Sequence, residues 1–220
     1  MKTSASSDRT RRWRWNHAVQ QLRKAYEAAR EHLDAAVKEA EAFGREHDKR
    51  RPSKIDADYE HWVEYGDHLG EEILEARNSL QLVREGFAVT IYHAWERHAV
   101  HWMSDSESRR YDHFRHKKTL TDAGYIVAEG LNKLNKVVNC IKHNSDELWQ
   151  QKSNRSMFDP VVAQIEEAWA GLDGAGDKPR HPKKPIIDYA QYLRLSEGDM
   201  DEFFDALKES GPSASPKIEL

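Results

Sequence analysis

Lys136, Asn139 and His143 stand in the stretch "KVVNCIKHNSDE" at three- and four-residue intervals, a spacing that stacks side chains along one face of a helix. A cation, an amide and an imidazole so arranged suit work on a phosphate. An imidazole, with an ordinary pKa of about 6.5, gives or takes a proton near neutral pH, and an ammonium steadies negative charge on oxygen. At about 100° per residue, Val127, Leu131, Val138 and Ile141 gather around Leu134, and the three polar residues lie nearly opposite. Any amphipathic helix with a solvated face shows the same pattern, so spacing alone leaves both readings open.

Other clusters carry weaker chemistry. His98 and His101, like His113 and His116, are spaced to share a metal, but no third ligand accompanies them, and they read as polar residues on helical or loop surfaces. No metal or cofactor is expected. Cys140 is the only cysteine, which rules out an internal disulfide and suits a small buried hydrophobe. "RTRRWRW" mixes cations with aromatics as a single-strand binder does, yet one such cluster at a terminus is better read as a packed helix start.

The elements that must position these residues follow from periodicity. Leu22, Tyr26, Ala29, Leu33, Ala36, Ala40 and Phe43 alternate by four and three, predicting a long helix over 13–46 with a coiled-coil seam. Pro52 interrupts it, with Ser53 or Asp56 available as a cap. A second seam resumes through Ile55, Tyr59, Trp62, Leu69, Ile73, Ala76, Leu80, Val83 and Phe87, with a kink expected near Gly66, Gly70 or Gly86. The aromatic run from Gly86 to Met103 predicts a helix covered on several sides. The polar segment after it reads as an exposed connection with a turn of helix, and Thr121 and Asp122 as caps for a helix ending near His143, where Asn144 stops it. "DELWQQ" and "DPVVAQIEEAWAGL" read as helical, "IIDYAQYLRL" as extended, and "SEGDMDEFFDALKES" as a capped amphipathic helix. The expected fold is all-α: a helical hairpin over 13–85, a helical bundle over 86–210 and a disordered tail over 211–220.

A net charge of −4 argues against the basic footprint of a duplex-DNA binder. With 33% charged residues and no long apolar run, the chain is expected to be soluble, free of the membrane and, lacking a signal-peptide pattern, cytoplasmic.

The pairing of "TIYHAWERHAVHW" with "LNKVVNCIKHNSDEL" over roughly residues 70–210 resembles the HEPN superfamily, small helical-bundle proteins among toxins, phage-defence factors and RNA-processing nucleases. Catalytic members carry an Arg followed after four to six residues by a His, often with a polar residue just after the Arg. His143 matches the His and Asn139 the polar position. Val138 stands before Asn139, so the Arg is unmatched, and the nearest cation at permitted spacing is Lys136, which lacks the guanidinium fork. The resemblance implies metal-independent cleavage of RNA by attack of a 2′-hydroxyl on its neighbouring phosphate. In it His143 would transfer protons, Lys136 would stabilise the phosphate, Asn139 would hold an oxygen or orient the imidazole, and Glu96 would be the nearby acid, with Tyr92 one turn before it. Glu96 also reads as the buried partner of Arg97 or a lysine. The family builds its site across a homodimer, and the resemblance further implies a defence or toxin–antitoxin setting with a partner protein. The alternative is a noncatalytic HEPN-like interaction module, its hairpin a docking surface.

Overall fold

The computed structural model describes residues 5–54, 58–103, 113–173 and 187–211, and for 5–8 and 171–173 the backbone alone. Among the described residues the regular structure is all helical apart from two isolated bridges, Ile126 with Gly211 and Phe158 with Leu193. In order come α1 (Ala5–Lys49), α2 (Tyr59–Trp102), α3 (His113–Asp122), α4 (Gly130–His143), α5 (Glu147–Gln150), a 3-10 turn (Lys152–Met157), α6 (Val161–Asp173), α7 (Tyr189–Tyr192) and α8 (Glu197–Glu209). The chain divides into two compact units, Ala18–Phe87 and a second formed by Ala88–Leu220 with the helical start up to His17. Among the described residues, no helix is long and apolar enough to cross a membrane.

The unit Ala18–Phe87 is an antiparallel helical hairpin. Tyr26 meets Phe87 with ring centroids 5.3 Å apart, Glu41 takes Arg77 at 2.7 Å, and His47 stacks on Trp62 at 4.5 Å, so positions rise on α1 as they fall on α2. The expected seam holds along most of its length but drifts at one end. Phe43 is 55% exposed, and Gly44 and His47 take the inner positions after Ala40, because 3.6 residues per turn walks away from a strict 3.5 repeat. No break falls at these glycines: α2 is one helix through Gly66, Gly70 and Gly86. Gly66 serves close approach instead, since a Cβ there would stand 2.8 Å from the His47 ring. Asp56, one of the two expected caps, lies outside the described residues.

In the second unit α4 lies at the centre, packed on α5, α7 and α8. Leu131, Leu134, Val137, Val138 and Cys140 are buried along it, a broader arc than the stripe around Leu134. Ala88, Ile91, Trp95 and Ala99 of α2 and Met200, Phe203, Phe204 and Leu207 of α8 complete this core. Trp15 is buried too, and its indole N–H donates to the carbonyls of Leu207 at 3.1 Å and Ser210 at 2.6 Å, so "RTRRWRW" is a packed helix start, with Trp13 left 66% exposed.

Three expectations are corrected here. Residues 113–122 form a two-and-a-half-turn helix, α3, with His113, His116 and Leu120 buried; the connection over 104–112 lies outside the described residues. Thr121 and Asp122 end α3 and cap nothing: the Thr121 hydroxyl donates back to the Lys117 carbonyl at 2.9 Å, Asp122 pairs with Lys118, and Gly124 at φ 84° turns the chain. Helix α4 therefore begins at Gly130. Lastly, within "IIDYAQYLRL" residues Tyr189–Tyr192 form a helical turn, because the Asp188 carboxylate accepts the Gln191 N–H and caps it, while Leu193 after it is extended. The stop at Asn144 is as expected, with φ 53° in the left-handed region and its side chain tied to Ile187 and Ala190, and Ser196 and Asp199 form the capping box of α8. The tail beyond 211 lies outside the described residues.

Candidate active site

Helices α2, α3 and α4 enclose a groove of about 900 Å³ within the second unit. Tyr92, His93, Glu96 and Arg97 reach it from α2, where spacings of one, four and five residues share one helical face. Asn135, Asn139, Lys142 and His143 reach it from the middle and C-terminal end of α4.

Two hydrogen-bonded arrangements shape the groove. In the first, Glu96 Oε2 lies 2.8 Å from His93 Nδ1. A carboxylate only accepts, so Nδ1 donates, and in the neutral ring Nε2 keeps the lone pair. Glu96 thus pairs with His93; Arg97 stands exposed.

The second is a chain, buried at its middle, whose polarity is fixed at its exposed far end. Glu129 accepts from the Asn132 side-chain amide, which turns Asn132 Oδ1 toward His113 Nε2 at 3.1 Å. Nε2 must then donate, so Nδ1 accepts from the Tyr92 hydroxyl at 3.1 Å, and Tyr92 oxygen in turn accepts from Asn135 at 2.8 Å. Asn135 Oδ1 accepts from Asn139 at 3.4 Å, and the chain ends with the Asn139 carbonyl and its second N–H unspent by it. Burial holds His113 below the ordinary histidine range, helped by Lys117 and His116 and opposed by the Asn132 hydrogen bond and the Glu96 charge. At the far end Glu129 is held below the usual carboxylate range by its hydrogen bonds from Lys117 and Asn132.

Three of the four sequence candidates, Glu96, Asn139 and His143, line this one groove. Lys136 does not. It lines a separate recess with Glu129, Asn132 and Lys133, two helical turns or about 10 Å along α4 from His143. The His113–Asn132 bond reaches across between that recess and the groove. Arg97 and Lys142 are the cations that do line it, and neither has an ion-pair partner among the described residues.

The other histidines settle differently from the surface reading. Of the four spaced histidines, His113 and His116 are buried, His98 packs against the rings of Trp15 and Trp102, and His101 is exposed. Among the described residues no group of three or more side chains is placed to hold a metal ion. Cys140 is a free, buried thiol.

Sequence reasoning passed over His93 and Lys142, took Arg97 only as a partner for Glu96, and took His113 only as half of a metal-spaced pair. The three-residue step from His93 to Glu96 was a usable signal. His113 offered none, because its partners come from two other helices. The chain matches no family model, no curated protein and no solved structure.

Proposed function

We propose that this groove cleaves RNA by acid–base catalysis with two imidazoles of one chain, His93 and His143. The observation that carries the reading is that both histidines line a single groove together with Arg97 and Lys142, while its carboxylate, Glu96, is already committed to His93.

In this scheme His93 Nε2 takes the proton of a ribose 2′-hydroxyl, and Glu96 steadies the imidazolium that forms. The 2′-oxygen bonds to phosphorus, the bond to the 5′-oxygen breaks, and His143 supplies the proton that the departing oxygen needs. The products are a 2′,3′-cyclic phosphate and a 5′-hydroxyl. Arg97 and Lys142 offset charge on the phosphoryl oxygens, the task first assigned to Lys136, and the Asn139 amide supplies a further hydrogen bond. The HEPN resemblance supports the same reaction class, and its homodimer is not required by a site whose two imidazoles come from one chain.

The test is cleavage of mixed RNA by the purified chain. Replacing His143 or His93 by Ala should each lower the rate by about two orders of magnitude or more, with cyclic phosphate as the product end. Lys136→Ala should leave it unchanged. Unmodified protein that leaves RNA of several kinds intact would instead favour the noncatalytic module.

A further inference from the structure

Phe114 is 64% exposed, and it lines the groove from α3. Exposure of a large apolar ring needs no explanation on a bare surface. Its setting here is particular. The neighbouring His113 ring meets it edge-to-face at 5.4 Å and 82°, and His113 is itself pinned at both nitrogens by Tyr92 and Asn132. The platform is therefore attached to a side chain held at both ring nitrogens. Arg97 and Lys142, exposed and paired with no described carboxylate, line the same groove. An aromatic face beside two unpaired cations matches a nucleotide, whose base stacks while its phosphate is held by charge.

We propose that Phe114 is the base-binding residue of the groove: one base of the RNA stacks on its ring while Arg97 and Lys142 take the adjoining phosphates, so recognition favours a large aromatic base at that position. The inference deepens the RNA-cleavage reading and takes its ligand class from it. Phe114 stacks and positions, and transfers no proton.

Binding is tested with the full chain and a short fluorescent oligoadenylate, 2′-O-methylated throughout so that no nucleophile is present, against an abasic backbone of equal length and charge. The unmodified protein should bind the oligoadenylate roughly tenfold or more tightly than the abasic strand, the scale of one stacked base. Phe114→Ala should reduce the oligoadenylate to the abasic level, Phe114→Trp should keep the preference, and Arg97→Ala should weaken both strands alike. Because Phe114 is exposed, its replacement leaves the core intact, and thermal unfolding of each variant checks this. Equal affinity for the two strands, no binding of either, or an undiminished preference in Phe114→Ala would each overturn the proposal. Failure of the catalytic reading looks different: ordinary RNA stays uncut while the methylated strand still shows its dependence on Phe114.

Discussion

Tyr92 serves two buried neighbours with one hydroxyl, donating to His113 and accepting from Asn135. Tyr92→Phe would keep the ring and strand both partners, so it should cost about 1–3 kcal/mol in urea unfolding at pH 7, the penalty for buried polar groups left unsatisfied. An unchanged unfolding free energy would show that the chain does not hold the groove floor. His113 also gives a pH dependence whose sign is fixed. Its folded pKa lies below the ordinary value of about 6.5, as does that of His98, which burial lowers with help from His101 and Arg97. Between the folded and ordinary values the unfolded chain binds more protons, so stability rises with pH across that window and is lost on acidification. Urea midpoints should fall as pH drops from 7 to about 5, and His113→Gln should flatten that slope relative to the parent chain. The residue types at the groove were open to reading from sequence. The buried chain was not, since periodicity says nothing about which polar side chains of different helices meet.

At the level of elements, the junction of α4 with α8 is where a single glycine matters. A Cβ on Gly130 would stand 2.8 Å from the Ala206 Cβ, so Gly130→Ala must push the helices apart and should destabilise by about 1–3 kcal/mol. Gly70 is the control: nothing lies within 4 Å of its missing Cβ, and Gly70→Ala should stabilise by up to about 1 kcal/mol through helix propensity alone. Chemical denaturation of the two variants tests both signs together. The same junction carries Lys133, bound to Asp199 at 2.9 Å and Glu202 at 2.6 Å. Burial opposes ionisation of Asp199, but hydrogen bonds from Ser196 and the Lys133 charge outweigh it and hold the carboxyl below its ordinary range. Its stabilisation is present above the ordinary aspartate pKa of about 3.9 and lost as pH falls through the lower folded value, a window below that of the histidines. The capping box of α8 and the stop at Asn144 were legible because each is written in a few adjacent residues. The start of α4 was misplaced because Thr121 bonds back into α3, a choice that local sequence leaves open.

For the molecule as a whole, a groove supplied by one chain sets an expectation that a composite site would not meet. Specific RNA-cleaving activity should stay constant as the protein is diluted from micromolar to nanomolar; a fall that follows the dissociation of copies would return the reading to a site shared across a homodimer. What the sequence determined by itself is the helical fold and the antiparallel hairpin, because heptad seams, a proline break and capping residues act over a few residues at a time. It also put His143 and Asn139 forward through their spacing, while Glu96 came forward only from the HEPN resemblance. Only the tertiary structure decided that Lys136 lies outside the groove, that His93, Arg97 and Lys142 line it, and that His113 and Phe114 come into it from a segment read as a surface connection. Spacing along α4 puts Lys136 and His143 on one face; their separation along the axis, and what α3 sets between them, depend on packing between helices distant in sequence.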